Sequence, residues 1–220
     1  MTAAQIDHLV VAADTLAQGV AWCEQTLGAT PGPGGKHGFM GTHNRLLAIG
    51  SPAFPRAYLE IIAIDPGATP PQRPRWFGLD STALREAVRV QPRLLHAVAR
   101  TLRIDEIRAA LAELGQDIGP VLAAERATPG GVLRWRISVR DDGALLSGGA
   151  LPTLIEWGDV HPADSMPASA VSLQSVTLGG LPAAVLRALD LGEVQMDAQG
   201  PALRVTLDTP RGAVQLSSAG

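Results

Sequence analysis

Cysteine is almost missing from this sequence, since Cys23 is the single one among 220 residues. An intrachain disulfide is therefore impossible, and a reducing cytoplasm is the expected location. Long apolar runs are missing too: no stretch of about 20 residues escapes a charge, a proline or a turn, so we expect no membrane span. The first residues lack the basic start of a secretory signal, and Asp7 and His8 interrupt their apolar run.

An excess of positive charge is also missing. The chain has 18 Lys and Arg against 21 Asp and Glu, which gives a net charge of −3 with histidine neutral. A nucleic-acid binder usually has a basic excess, so we expect no nucleic-acid partner. Apolar residue types nevertheless make up 46% of the chain, which is enough to form a substantial core in one or two domains.

The order strand, helix and three strands describes the first 65 residues. The short apolar run 5–12 (QIDHLVVA) is typical of a strand, and apolar residues then follow at helical spacing up to Gly28. Further strand candidates lie around 36–40, 45–49 and 57–64. We therefore predict a βαβββ module over residues 1–65.

The same order recurs after a proline-rich connection at 66–92, in which we expect a short helix. His8 and His96 lie at the same place in their strands and are 88 residues apart, and the glycines that end the two helices are 87 apart. Because the two intervals agree to within one residue, we predict a second βαβββ module over 93–160.

A shortened third unit over 170–218 follows the same order of elements. Its helix has an apolar face with Leu181, Val185 and Leu189, which must pack either within the chain or across the boundary of a homodimer. The predicted fold class is therefore α+β, with paired βαβββ modules and a degenerate third unit.

Histidine and glutamate recur at matching places in the first two modules. His8 and His96 lie in the first strands, and Glu60 and Glu156 lie in the middle of the fourth strands. An acid within an apolar strand is costly to bury unless it is paired or bound to a metal. Two imidazoles and two carboxylates suit divalent Zn, Ni, Co, Mn or Fe. We therefore predict one metal site that both modules build.

Each of these residues also has an ordinary structural explanation. A lone histidine in a strand more often bonds a backbone group, and a lone glutamate more often pairs with an arginine such as Arg45, Arg134 or Arg136. The third unit has Ser175 and Gln215 near the matching places, so it has lost the histidine and glutamate pair.

A second polar group, formed by His37, His43 and Asn44, lies in a glycine-rich stretch. Such residues can simply bond the local backbone of a turn. We favour a substrate-binding function, because two close histidines beside Asn44 and Arg45 are more than a turn requires. His161, between the second and third units, is interpreted as a linker residue.

Arg134 and Arg136 alternate with Trp135 along a strand, so both arginines lie on one face of the sheet. If that face lines a cleft, the two guanidinium groups can bind a carboxylate or phosphate of the substrate. If it faces solvent, they are surface charge. The sequence alone does not decide between these two placements.

The motifs themselves resemble a known family. They are similar to motifs of the glyoxalase-like domain family of the vicinal oxygen chelate superfamily. In chain order, the motifs are IDHLVVA, GGKHGFMGTHNRL, YLEIIAIDP and RPRWFGLD, followed by LLHAVART, LRWRISV and LPTLIEWGDVHPA. The resemblance covers roughly the first 163 residues. It implies paired modules that curl around a common cleft, with metal ligands from their first and fourth strands, which here are His8, Glu60, His96 and Glu156.

This resemblance also implies a chemistry. A divalent ion that binds two neighbouring oxygens of a substrate favours an enediolate, and a glutamate then moves a proton between adjacent carbons. We favour Glu156 as this base over Glu60 by a small margin. The predicted function is a metal-dependent lyase or isomerase that acts next to a carbonyl on a small polar metabolite. The alternative is a metal-free protein that sequesters a small molecule in the same cleft.

Overall fold

The computed structural model describes residues 3–128 and 131–218. In this part of the chain there are twelve strands, four α-helices and three short 3₁₀ helices. The strands are β1 (Gln5–Ala12), β2 (Lys36–His37), β3 (Thr42–Ala48), β4 (Tyr58–Ile64), β5 (Arg93–Arg100), β6 (Val121–Thr128), β7 (Gly131–Ser138), β8 (Thr153–Trp157), β9 (Ser172–Gly179), β10 (Gln195–Asp197), β11 (Leu203–Thr209) and β12 (Gly212–Ser217). The helices are α1 (Leu16–Leu27), α2 (Thr82–Val90), α3 (Ile104–Glu113) and α4 (Ala183–Leu189), and the 3₁₀ helices are Trp76–Gly78, Leu146–Gly149 and Pro162–Asp164.

Eight strands form one sheet in the order β2-β3-β4-β1-β5-β8-β7-β6. Each half is a βαβββ module in which the first strand lies parallel to the fourth, β1 with β4 and β5 with β8. The first strands of the two modules pair antiparallel at the centre, where His8 faces Val98 and Val10 faces His96. The duplication is thus a pseudo-twofold arrangement, and the predicted α+β fold of paired βαβββ modules is confirmed.

Local signals begin and end the helices. The Thr15 side chain accepts the backbone N–H of Gln18 at the start of α1, and Gly28 ends that helix with a φ of 69°. A backbone position with a positive φ favours glycine, because glycine has no Cβ to clash with the neighbouring backbone. The short helix expected in the connection is α2, which begins after Ser81, whose side chain accepts the N–H of Leu84.

The two faces of the eight-stranded sheet pack differently. On the outer face, Leu9 and Ile61 pack in one core with the helices and with the four-stranded sheet. On the inner face, Val10 and Ile62 pack in a second core with Trp76 from the connection. Because side chains alternate along a strand, a shift of one residue decides whether a side chain reaches the inner cleft.

The third unit forms a separate sheet in the order β10-β9-β11-β12. Its first strand, β9, pairs in parallel with β10, the strand directly after the helix, whereas each module pairs its first strand with its fourth. The unit therefore follows the element order of a module without its strand pairing. Val185 and Leu189 of α4 are buried in the outer core, so the apolar helix face packs within the chain.

The described residues contain no helix that is both long and apolar enough to cross a membrane.

Candidate active site

A cavity opens on the inner face of the sheet, and residues of both modules line it. Its volume is about 40 Å³, which is space for a few water molecules. Three of the four tryptophans of the chain line it, together with Tyr58 and Phe77. The polar side chains in its wall are those of His8, His37, Asn44, Glu60 and Arg126.

Glu60 on β4 is the central acid of this cavity and is only 5% exposed. The Nδ2 atom of Asn44 donates to its Oε1 at 2.6 Å. The Nε2 atom of His8 lies 3.6 Å from Oε2, and the Nε2 atom of His37 lies 3.9 Å from Oε1. The carboxylate is thus held by an amide and lies between two imidazoles, out of bulk water.

Asp7 holds His8 from behind. It lies at a β-bulge of β1, because the pairing with β5 shifts between Ile6 and His8. The carboxylate is fully buried, with Oδ1 2.6 Å from Nδ1 of His8 and Oδ2 2.8 Å from Nε2 of His161. Trp157 donates a third hydrogen bond from its indole N–H.

These donors keep Asp7 ionised. Burial alone raises the pKa of a carboxyl, but the hydrogen bonds from His161 and His8 outweigh it and hold the pKa of Asp7 well below its usual range. An ionised Asp7 accepts the Nδ1–H of His8, and this fixes the imidazole tautomer with Nε2 facing Glu60.

Asn44 is oriented by a glycine pair. Its Oδ1 accepts the backbone N–H of Gly35 at 2.7 Å, so its Nδ2 is the atom that faces Glu60. A Cβ on Gly34 would lie 2.2 Å from the backbone oxygen of Asn44, so only glycine fits this approach. The glycines of the GGKHG motif therefore position a cavity residue.

His37 completes the acid and base group. Its Nδ1 lies 3.1 Å from the hydroxyl of Thr42. Burial lowers the pKa of His37 to about 4 against the opposing charge of Glu60, and the charge of Arg126 adds to the lowering. The ring is therefore neutral at pH 7.

His96 does not reach this group. Its Nδ1 bonds the carbonyl of Gly149 at 3.0 Å, and its Nε2 accepts the backbone N–H of Thr153 at 2.9 Å. Phe77 packs against the ring with centroids 5.7 Å apart. Burial, partly opposed by the bond to Gly149, lowers the pKa of His96 to about 4. Both ring nitrogens have protein partners, so His96 has the ordinary structural function and not that of a ligand.

Glu156 lies on the other face of the sheet. In β8 the inner side chains are those of Ile155 and Trp157, whereas Glu156 points outward and pairs with Arg136 at 3.1 Å. It is therefore not the base in this cavity, and the preference for Glu156 over Glu60 is corrected.

The strand register identifies the true counterpart of Glu60. Glu60 pairs with Val10 on β1, and Val98, the counterpart of Val10, pairs with Thr153 on β8. The hydroxyl of Thr153 lies 2.9 Å from Nε2 of His96, which mirrors the approach of Glu60 to His8. The second module therefore has threonine where the first has glutamate.

These placements decide whether the predicted ligand set fits a metal. Of its four residues, only His8 and Glu60 come together. Within residues 3–128 and 131–218, no three His, Cys, Asp or Glu side chains form a group that could hold a metal ion. The predicted four-ligand site is therefore corrected to a pair.

The other predicted site residues divide between the two faces. His37 and Asn44 line the cavity, but His43 lies on the opposite face of β3, with its Nδ1 3.9 Å from Asp65. Arg134 and Arg136 also face outward, where they pair with carboxylates, among them Glu125 at 3.1 Å. The sequence left this placement open, and the structure decides it in favour of surface charge.

Among the residues of the site that were not predicted from the sequence, four matter most to its chemistry. Asp7 is the most deducible, because a buried charge beside a strand histidine often orients it. His161, interpreted as a linker residue, is 3% exposed and bonds Asp7. Arg126 and Trp76 gave no local signal, since only the curling of the sheet and the path of the connection bring them to the cavity.

Solved structures of other proteins are similar to this chain to different degrees. A solved structure of a hypothetical protein from Staphylococcus aureus is 13% identical to this chain. The aligned region covers 99% of this chain and 87% of that protein, with a TM-score of 0.56. Methylmalonyl-CoA epimerases from Streptomyces coelicolor and Mycobacterium tuberculosis are 17% and 16% identical and cover 73% of this chain, with TM-scores of 0.44 and 0.40. The aligned regions include 99% and 91% of the two epimerase chains.

No curated protein matches the chain. The family model described as "Glyoxalase-like domain" matches residues 6–190, which is most of the sequence. This chain belongs to the glyoxalase-like domain family.

Proposed function

We propose that this protein is a lyase or isomerase that moves a proton on a carbon next to a carbonyl, with Glu60 and His8 as the groups that carry the proton. The observation that supports this proposal is the approach of His8 Nε2 to the Glu60 carboxylate, 3.6 Å, in a cavity closed off by aromatic walls. A carboxylate beside a fixed imidazole is a common acid and base pair.

In the proposed reaction, the Glu60 carboxylate takes the proton from the substrate carbon. The electron pair of the broken C–H bond moves to the carbonyl oxygen, which takes a proton from Nε2 of His8. Asp7 stabilises the imidazolium form of His8 that this step requires. Glu60 then returns its proton to the neighbouring carbon, and the hydroxyl on the first carbon gives its proton to Nε2 of His8 as the new carbonyl forms, which completes an isomerisation and restores both groups.

A metal takes no part in this proposal, because the predicted ligands do not fit one. His96 has no free ring nitrogen, and Glu156 is paired on the outer face. Metal dependence, which the family resemblance implies, is the contrary expectation, and removal of divalent ions with a chelator decides between the two.

The proposal includes a reducing cytoplasm as the location. Cys23 is fully buried in α1, and burial raises the pKa of its thiol to about 12, so the side chain is held as an inert thiol.

The test is deuterium exchange at the carbon next to the carbonyl, followed by NMR in D₂O with hydroxyacetone, dihydroxyacetone and pyruvate. We expect wild-type protein to catalyse exchange on at least one of them, and Glu60→Gln to lower the rate at least a hundredfold. Glu156→Gln is the matched control, a strand glutamate on the other face, and should leave the rate unchanged. Removing divalent ions with a chelator should also leave it unchanged.

Sequestration of a small molecule is the second candidate function. It is favoured by the aromatic walls of the cavity, where Trp76 and Phe77 stack with their ring centroids 5.3 Å apart, since such walls can hold the apolar part of a ligand. If the wild-type protein binds these compounds tightly but exchanges no deuterium, the sequestering function replaces the catalytic one.

A further inference from the structure

The guanidinium of Arg126 is a charged hydrogen-bond donor in the cavity wall, and the described part of the chain leaves one of its nitrogens without an acceptor. It lies on β6 at one end of the eight-stranded sheet, and the curl of the sheet carries its guanidinium to the cavity wall. Its Nη1 atom is buried without a hydrogen-bond partner. Across residues 3–128 and 131–218, no carboxylate forms an ion pair with it. A buried donor left unpaired is costly, and a charged one more so.

The chain makes room for this guanidinium. Gly35, near the other end of the sheet, passes directly over it, and a Cβ at that position would lie 1.9 Å from Nη1. Any side chain there would push Arg126 away from the cavity. The approach of Arg126 is therefore built into the packing of two opposite ends of the sheet.

Glu60 is not the missing partner. Its carboxylate already accepts from Asn44 and faces His8, and it lies beyond ion-pair distance of Arg126. The Glu60 carboxylate and the Arg126 guanidinium therefore lie in the same cavity wall without pairing with each other. Trp76, in the same wall, also has a buried indole nitrogen without a partner. The cavity therefore offers unused donors and a single charged one among them.

We infer that Arg126 binds the carboxylate of the substrate, and that the substrate is a small 2-oxo or 2-hydroxy acid. A guanidinium matches a carboxylate with two parallel hydrogen bonds, which would satisfy Nη1 and hold the adjacent carbonyl carbon within the cavity that contains Glu60. The volume of about 40 Å³ favours an acid of two or three carbons over a larger anion. This inference rests on the proposed function, since it names the substrate class of the same site.

The test compares pyruvate with pyruvamide, which has nearly the same shape and no charge. Full-length protein is titrated with each compound by calorimetry, with the fluorescence of the cavity tryptophans as a second readout. We expect wild-type protein to bind pyruvate about ten- to a hundredfold more tightly than pyruvamide, which is the effect of one charged hydrogen-bonded pair. Arg126→Gln should remove this preference, and Arg126→Lys should keep part of it.

Arg134→Gln is the matched control. Arg134 lies on the neighbouring strand β7 but faces outward and pairs with Glu125, so its loss should leave the preference intact. Equal affinity of wild-type protein for the two compounds, binding of neither, or an unchanged preference in Arg126→Gln would overturn the inference. Because the wild-type comparison needs no variant, a folding defect in Arg126→Gln does not prevent a decision.

The deuterium exchange measurement separates this inference from the proposed function. Charge-selective binding through Arg126 without exchange would leave the carboxylate site standing and remove the proton transfer. Exchange on hydroxyacetone with no preference for pyruvate would do the reverse.

Discussion

Asp7 shows how one buried charge organises the surrounding side chains. Three donors, from His8, His161 and Trp157, converge on its carboxylate, and they come from segments about 150 residues apart in the chain. Because Asp7 accepts from all three, it acts as a positioning residue for His8 and also anchors the segment after β8 to β1. Its contribution to the reaction is to orient His8 and to stabilise the imidazolium form, not to contact the substrate.

Replacing Asp7 by Asn should therefore change the tautomer of His8. An amide can set an N–H against Nδ1 of His8, so we expect the neutral ring to carry its proton on Nε2. Without the Asp7 charge that stabilises the imidazolium, we expect the exchange rate to fall at least a hundredfold. The ¹⁵N chemical shifts of the His8 ring report its tautomer directly. A variant that only lost stability would not change them. Asp14→Asn, at an exposed site, is the control, and an unchanged tautomer in Asp7→Asn would contradict the assignment.

At the scale of elements, the glycine pair before β2 decides how the edge of the sheet meets β3. Gly34 approaches the backbone of Asn44 and Gly35 approaches Arg126, so two cavity residues depend on positions that have no side chain. The connection between the modules has a comparable effect from the other side. It carries Trp76 and Phe77 into the cleft, where Phe77 adopts a φ of 58° that a bulky residue rarely takes.

Gly34→Ala tests whether the close approach of Gly34 to Asn44 stabilises the protein more than an ordinary glycine of the same loop does. The added Cβ meets a backbone oxygen at 2.2 Å, so β2 must shift, and we expect a loss of about 1–3 kcal/mol in the free energy of unfolding. The Asn44 hydrogen bond to Glu60 would weaken with it, and so would exchange. Gly38→Ala, with nothing within 4 Å of its Cβ, is the matched control and should leave the urea midpoint unchanged. Equal midpoints for the two variants would contradict this account.

At the scale of the whole molecule, two modules of the same topology have different polar contents. In the first, His8 faces Glu60 in a cavity, and in the second, His96 faces Thr153 and bonds the backbone. A duplicated fold has thus kept one acid and base group, while the other module supplies Trp135, Trp157 and Arg126 as walls. The third unit covers the outer face and takes no part in the cavity.

The buried neutral histidines predict how stability depends on pH. The pKa of His37 and that of His96 are both about 4, against 6.5 in the unfolded chain, so between these values the unfolded state binds more protons. Stability is therefore complete above about pH 6.5 and falls as the pH drops towards 4, by up to about 1.4 kcal/mol per pH unit for each residue. Urea unfolding of wild-type protein and His96→Gln at pH 7 to 5 checks this. The variant should show a smaller slope, to which His37 and the partly exposed His43, whose pKa burial also lowers, still contribute.

The hydrophobic pattern and the spacing of repeats determined the elements and the duplication of this protein, and the resemblance of its motifs indicated the family. Alternation and capping are local properties, so β1, α1, β4 and their counterparts in the second module could be predicted from neighbouring residues alone. His8 and Glu60 were singled out in this way as two of a predicted set of four, and His37 and Asn44 as two of a predicted group of three.

Only the tertiary structure decided which side chains share the cavity. Glu156 was matched to Glu60 by its strand motif, yet the pairing of β8 with β5 gives that place to Thr153 and turns Glu156 outward. Arg126 reaches the cavity because the sheet curls until its two ends meet. Strand register and sheet curvature arise from contacts between residues distant in the chain, and a linear sequence pattern does not specify them.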